Sequence, residues 1–183
     1  MKKISWRGKL QGVEFFLTEK FSEMLEECSD FSEIFELVKD AAEKSLGKTR
    51  AGLMLGIAEL GQFAGGFLGA YHEIDSNLIV MNATPLRRLV ETNPELLKPY
   101  CFHVLLHEYL HSLGVIDEEK TRELTAKICV KFFGKNHVAT MLATNIQKFL
   151  PGLVYGNVNL IPEKEPTIFI VQGFDKGNLT YVS

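Results

Sequence analysis

The chain has little cysteine, little net charge and no uninterrupted apolar run of membrane length. Only three cysteines, Cys28, Cys101 and Cys129, occur among its 183 residues, and their spacing is not that of a metal site. We therefore expect reduced thiols in a cytoplasmic protein. The formal net charge of −3 offers no basic surface for nucleic acid. The basic start of the sequence lacks the apolar run of a signal peptide.

One segment, residues 51–71, has the length of a membrane span and needs a separate examination. A span takes about 20 predominantly apolar residues. This segment instead carries Glu59 and Gln62 near its middle, together with several glycines. Glycines at such positions are typical of turns between strands. We therefore predict strand, turn and strand here, and no association with a membrane.

The length and an apolar fraction of 46 % suffice for one domain with its own core. We predict a single α+β domain over residues 1–183, with a central part at about 51–150 and flanking segments 1–50 and 151–183. Apolar periodicity and turn residues predict the individual elements. Helices are expected at 18–46 (with a break near Ser29-Asp30), 86–91, 99–113, 117–133 and 137–149. Strands are expected within 3–17 and at 53–60, 67–74, 78–82, 167–171 and 179–182, with a hairpin turn at 75–77.

The most informative stretch is the HEYLH segment formed by His107, Glu108 and His111. On a helix, residues four apart lie one turn apart on the same side, so the two imidazoles can hold one metal ion. The glutamate beside the first ligand can reach a water on that ion. This is the HExxH pattern, in which two histidines bind zinc and the glutamate is the general base.

The surroundings of this motif predict an amphipathic helix. At about 100° per residue, one side gathers apolar residues and the opposite side carries His107 and His111. The apolar side comprises Phe102, Leu105, Leu106, Tyr109, Leu110 and Leu113. His103 lies on the histidine side, but residues eight apart are about 12 Å apart along the axis, so it cannot share the ion with both others.

A catalytic zinc ion takes three protein ligands, and two residues compete to be the third. Glu118 lies at the edge of the buried stripe of the following helix, where an isolated carboxylate would be costly. Asp117 is six residues beyond His111 with Gly114 between them, but it is also a good N-cap for that helix. Both assignments are coherent from the sequence, and we favour Glu118 slightly.

Residues 67–125 resemble a zincin-type zinc metallopeptidase: a hairpin, a short helix, the HExxH helix and a ligand-bearing helix. The small size resembles the compact peptidases called minigluzincins, in which the third ligand is a glutamate, here Glu118. The segment HExxHxxGxxD is similar to the metzincin pattern, with Asp117 as ligand. That pattern requires a methionine turn, and Met141 falls within a predicted helix instead.

The resemblance implies a small sheet whose edge strand packs beside the HExxH helix. An extended peptide could pair with that edge, although the strands could equally serve only to cover the helices. It also implies a peptide or protein substrate, bound Zn²⁺ and a donor for the oxyanion. The candidates for that donor are Tyr71, His72, His137 and Tyr155.

Two other functions and one mode of regulation remain open from the sequence. The motif could serve a zinc hydrolase with a non-peptide substrate, or a metal-binding module without catalysis. The presence of Glu108 favours an enzyme, because a structural site has no use for that carboxylate. A further hypothesis is latency, in which a terminal segment covers the cleft until it is removed.

Overall fold

The structure is a computed structural model that describes residues 6–61, 66–151, 153–154 and 166–175. In these residues the chain forms six α-helices and six short strands. The helices are α1 Trp6–Glu27, α2 Phe31–Leu46, α3 Ala83–Thr92, α4 Leu97–Ser112, α5 Glu118–Phe133 and α6 Val138–Asn145. The strands are β1 Met54–Ala58, β2 Phe67–Leu68, β3 Ala70–His72, β4 Leu78–Asn82, β5 Leu153–Val154 and β6 Phe169–Val171. The predicted α+β class is confirmed.

Four of the strands form a mixed sheet in the order β3-β4-β1-β6. Strand β1 pairs in parallel with β4, whereas β3 and β6 are antiparallel to their neighbours. Strands β2 and β5 form a separate parallel pair. Strand β3 is thus one edge of the four-stranded sheet, and it packs against α4.

Helix α4 runs through the centre of the molecule, packed against α2, α5, α6 and β3. Every residue from Pro99 to Leu110 is buried. The helix is thus more buried than the predicted amphipathic pattern implies, because neighbouring elements cover it as far as Leu110. A polar side chain on such a helix is costly to leave unpaired. Helix α2 lies in the segment 1–50 that was predicted to flank the central part, yet it contributes Phe35 and Val38 to the same core.

Capping residues explain several of the helix boundaries. The break near Ser29-Asp30 is confirmed, because Asp30 accepts a hydrogen bond from the Glu33 N–H at 2.8 Å and begins α2. Gly47 ends α2 with φ 64°, a conformation that glycine adopts without strain. Helix α3 begins earlier than predicted, because Asn82 caps it by accepting from the Thr84 N–H at 3.1 Å.

Other predicted elements are changed or fall outside the described residues. Strands within 3–17 were wrong from Trp6 onwards, where α1 begins. The two glycines of this segment each cost about 1 kcal/mol in a helix. The helix forms nevertheless, because it continues into later turns of α1 that bury Phe21 and Leu25 in the core. The predicted strand 67–74 is split into β2 and β3. The helix predicted to reach residue 149 ends at Asn145, followed by a 3₁₀ turn. The predicted strand 179–182 lies outside the described residues.

Segment 51–71 forms β1, β2 and part of β3, with residues 62–65 outside the described set. Among the described residues, no helix has both the length and the apolar character needed to cross a bilayer.

A buried ion pair anchors residues 166–175 to the core. The Lys39 Nζ lies 2.7 Å from Asp175 Oδ1 and 2.7 Å from Glu36 Oε1. The other Asp175 oxygen accepts from the Leu53 N–H at 3.1 Å. Phe174 stacks on Phe35 with ring centroids 4.2 Å apart. These tail residues pair through β6 at the edge of the sheet opposite to β3.

Removing this anchor is expected to destabilise the fold. Asp175→Ala should lower the free energy of unfolding by about 3 kcal/mol, because it leaves a buried ammonium with one partner fewer. Asp175→Asn keeps an acceptor for Leu53 and should cost less. Urea denaturation followed by circular dichroism measures both. An alanine variant within about 0.5 kcal/mol of wild type, the range of ordinary surface substitutions, would contradict this view of the anchor.

Candidate metal centre

Three side chains converge at the C-terminal end of α4. The His107 Nε2 lies 2.9 Å from Glu118 Oε1, and the His111 Nε2 lies 3.0 Å from Glu118 Oε2. The two imidazole Nε2 atoms are 3.2 Å apart. His107 and Glu108 are only 1 % and 5 % exposed. Two helices thus direct three potential ligand atoms towards one point.

The chain between α4 and α5 brings Glu118 back to the histidines. Gly114, with φ 93°, reverses the chain directly after α4, a conformation that glycine adopts most readily. Asp117 then begins α5 by accepting from the Lys120 N–H at 2.7 Å. Glu118 is the first residue of that helix and faces α4. The side chain of Asp117 is therefore used as a cap, whereas that of Glu118 is one of the three converging groups.

A backbone carbonyl fixes the tautomer of the neutral His111 ring. The His111 Nδ1–H donates to the Val115 carbonyl oxygen at 2.7 Å, and that oxygen also accepts from the Thr121 hydroxyl at 3.1 Å. Because a carbonyl can only accept, Nδ1 carries the proton, and in the neutral ring Nε2 presents its lone pair. Metal-binding histidines are typically oriented by such a contact on their other ring nitrogen.

The three groups fit a zinc ion in chemistry and in spacing. Zinc binds imidazole nitrogen and carboxylate oxygen at about 2.0–2.1 Å in tetrahedral geometry, which puts neighbouring ligand atoms about 3.3 Å apart. The two Nε2 atoms are 3.2 Å apart and each lies 2.9 to 3.0 Å from a different oxygen of the Glu118 carboxylate, distances close to that value. Two imidazoles and one carboxylate form a ligand set found in catalytic zinc sites. Within the described residues, these are the three that could share one ion.

In the metal-free site, the charge of each group shifts the pKa values of its neighbours. Burial opposes ionisation of Glu118, but its hydrogen bonds to His107 and His111 outweigh that effect and hold its pKa far below the usual range. Burial also opposes protonation of His111, yet the hydrogen bond to Glu118 and the charge of Glu108 raise its pKa overall. Burial raises the pKa of Glu108, and the two histidines offset only part of that increase. In the metal-free site Glu118 therefore stays ionised, and His111 is protonated more readily than a free imidazole.

A cleft opens beside the triad. One wall comes from β3 and the turn after it, and the other from α4 and the start of α5. Its lining comprises Ala70, Tyr71, His72, Ile74, Glu108, His111, Ile116 and Glu118. Glu108 thus faces the same space as two of the three converging groups, where a general base would have to be.

The four candidates for an oxyanion donor occupy different surroundings. Tyr71 and His72 line the cleft, and the His72 Nδ1–H donates to the Leu78 carbonyl at 3.1 Å. Burial lowers the pKa of His72, and the charges of Arg50 and His111 contribute. His137 instead caps α6 and stacks on Phe133 at 4.7 Å. Tyr155 lies outside the described residues.

Two features of the cleft were missed from the sequence. Ile74 and Ile116 are large apolar side chains at its mouth that remain 65 % and 61 % exposed. Arg50 lies outside the cleft but connects both of its walls through hydrogen bonds. No local pattern marks these residues, because each gains its role from partners distant in the chain. His103 is buried and is not one of the three converging groups.

Comparisons of the chain with known protein families, with curated proteins and with solved structures give no match.

Proposed function

We propose that this protein is a zinc-dependent hydrolase, specifically a small zincin-type metallopeptidase of the minigluzincin kind. The observation that carries the proposal is the convergence of His107, His111 and Glu118 beside a buried Glu108 in an open cleft. In this proposal the first three residues hold the ion, and Glu108 is the catalytic base. The capping role of Asp117 favours this ligand set over the metzincin-like alternative.

The residues of the chain have distinct roles in the proposed reaction. When bound, zinc would polarise the scissile carbonyl and lower the pKa of a water molecule towards about 7. The Glu108 carboxylate accepts the proton of the attacking water and delivers it to the leaving amine. Its burial raises its pKa, which strengthens it as a base. His111 keeps its orientation through the Val115 carbonyl during this transfer.

The position of β3 favours a peptide as the substrate. This strand is antiparallel to β4 on one side and forms an edge of the four-stranded sheet on the other. Its residues Ala70, Tyr71 and His72 line the cleft beside Glu108. An extended peptide added to a sheet edge gains main-chain hydrogen bonds. That mode of binding would present a peptide bond to Glu108, whereas a non-peptide substrate has no such use for the edge.

The arrangement also favours catalysis over a purely structural metal site. A structural zinc ion is normally closed by four protein ligands, whereas a catalytic one keeps an open position. Three ligands converge here among the described residues, and the cleft lies beside them. A buried carboxylate such as Glu108 costs stability and would contribute nothing to a closed site. We further propose a cytoplasmic location, consistent with three buried, free cysteines.

Digestion of a peptide library tests the proposed activity. Zinc-loaded wild type should cleave peptides, whereas the protein treated with chelator and the variant His107→Ala should not. Restoring zinc should restore cleavage to the chelated wild type only. A protein that binds zinc but leaves every peptide intact would favour the alternatives, a metal-binding module or a hydrolase of another substrate.

The apolar mouth of the cleft predicts a preference for bulky apolar side chains near the scissile bond. Ile116→Ser should lower kcat/KM about tenfold for peptides with leucine or phenylalanine there, since removing apolar contact from a pocket typically has effects of this size. Peptides with small residues should be affected less. Val90→Ser changes an equally exposed apolar residue outside the cleft and is the control. Equal losses for both kinds of peptide would contradict this preference.

A further inference from the structure

The guanidinium of Arg50 joins two parts of the chain that form opposite walls of the cleft. Its Nη1 donates to the carbonyl of Ser112, the last residue of α4, at 2.9 Å. Its Nη2 donates to the Ser76 carbonyl at 2.9 Å and to Asn77 Oδ1 at 2.7 Å. Ser76 and Asn77 belong to the turn between β3 and β4. One side chain therefore connects the proposed metal-binding helix directly to the turn that follows the edge strand.

The backbone of Arg50 is itself held by the metal-binding helix. The Arg50 N–H donates to the Tyr109 hydroxyl at 2.8 Å, and that hydroxyl lies 3.2 Å from the Arg50 carbonyl, to which it donates. Tyr109 is fully buried and packs edge-on against Phe35, with ring centroids 5.3 Å apart. Tyr109 directly follows Glu108 in the HEYLH segment. The position of Arg50 is thus tied to the residue next to the proposed general base.

Arginine suits this connection better than lysine would. The planar guanidinium offers several N–H donors in a fixed arrangement, so it can bind three acceptors at once, whereas lysine carries a flexible point charge. Its charge also lies at the C-terminal end of α4, where the helix dipole favours a cation. With all three acceptors bound, the distance between the β3–β4 turn and α4 is fixed.

We propose that Arg50 is a positioning residue that sets the width of the cleft between β3 and α4. Building on the proposed function, Arg50 aligns a peptide on β3 with Glu108 without touching either the peptide or the metal. A misplacement of about 1 Å at a reacting centre can cost about 100-fold in rate. A residue that fixes the spacing of the two walls can therefore control the rate from outside the site.

The width of the cleft can be measured without any enzyme assay. Ile74→Cys and Ile116→Cys introduce labelling sites on opposite sides of its mouth, while the native cysteines are buried. Electron spin resonance between two nitroxide labels then gives their distance. We expect one narrow distribution with Arg50 present. With Arg50→Ala it should broaden and lengthen by about 2 Å or more, the scale of a loop rearrangement. Arg50→Lys should lie between the two.

Kinetics on chains without the labels complete the test. Arg50→Ala should lower kcat/KM by about 10- to 100-fold while the affinity for zinc stays unchanged, because all three ligands remain. Arg88→Ala, on the exposed face of α3, is the control and should change neither distance nor rate. If Arg50→Ala does not fold, Arg50→Lys and Tyr109→Phe provide the same comparison.

The outcomes separate this inference from the proposed function. Label distances that are the same in wild type and in the Arg50 variants would overturn the inference, whatever the activity. Altered distances in a protein that never cleaves peptides would support the connection between the walls and overturn its role in peptide hydrolysis. A loss of zinc affinity in Arg50→Ala would also overturn the inference, since it would point to a role in the metal site itself.

Discussion

Glu108→Gln is expected to abolish most hydrolytic activity while leaving the metal in place. Removing a general base typically costs about 10²- to 10⁴-fold in kcat. Glutamine has nearly the same shape as glutamate, and Glu108 is not one of the three converging groups, so zinc affinity should change little. Rates on the best library peptide, with zinc content measured on the same sample, check both expectations.

The stability of this variant separates loss of chemistry from loss of fold. Burial raises the pKa of Glu108 above its ordinary 4.5, so the folded metal-free chain binds this proton more tightly than the unfolded chain. Such a group makes the folded chain less stable as the pH rises from its unfolded-state pKa towards its folded-state pKa. Glutamine cannot ionise, so metal-free Glu108→Gln should be at least as stable as wild type at pH 7. Full activity in this variant would exclude Glu108 as the base.

Glu118→Ala is expected to empty the metal site, whereas Asp117→Ala is not. Mutating a residue that only hydrogen-bonds to a metal ligand already lowers the metal affinity by about 10- to 100-fold. Removing a ligand itself should therefore lower the zinc affinity by at least about 100-fold. Asp117→Ala removes the N-cap of α5 and should lower the free energy of unfolding by about 1 kcal/mol. Calorimetric zinc titration and urea denaturation of both variants measure these effects.

Two further variants guard against indirect effects. Glu118→Gln keeps the size of the side chain but loses its charge, and it should also bind zinc weakly. Glu119→Ala removes an exposed carboxylate one residue further along and should bind zinc as wild type does. The reverse pattern, with affinity lost in Asp117→Ala and kept in Glu118→Ala, would favour the metzincin-like assignment.

The parts of the site that follow from local chemistry could be predicted from the sequence. The spacing of His107 and His111 depends only on the helical repeat, and α4 is helical throughout that stretch. Gly114 and Asp117 act through their own backbone and neighbouring N–H groups, so the break between the helices predicted at 99–113 and 117–133 is confirmed. Choosing between Asp117 and Glu118 as the third ligand depends on the direction in which each side chain points. Apolar periodicity alone does not give that direction.

The parts that depend on distant partners could not be predicted. Apolar periodicity predicted an amphipathic α4, but α2, α5, α6 and β3 bury that helix as far as Leu110. The role of Arg50 arises from acceptors 26 to 62 residues further along the chain. The latency hypothesis rested on a long tail without an assigned place. The described residues 166–175 pair at the sheet edge opposite to β3.

X-ray absorption at the zinc edge, on metal-free protein titrated with one equivalent of zinc, tests the metal centre most directly. We predict tight binding of one ion per chain, with a first shell of nitrogen and oxygen at about 2.0–2.1 Å and an imidazole signature from two histidines. The same sample of Glu118→Ala should bind little zinc. A first shell containing sulfur at about 2.3 Å, or no stoichiometric binding at all, would contradict the assignment of His107, His111 and Glu118.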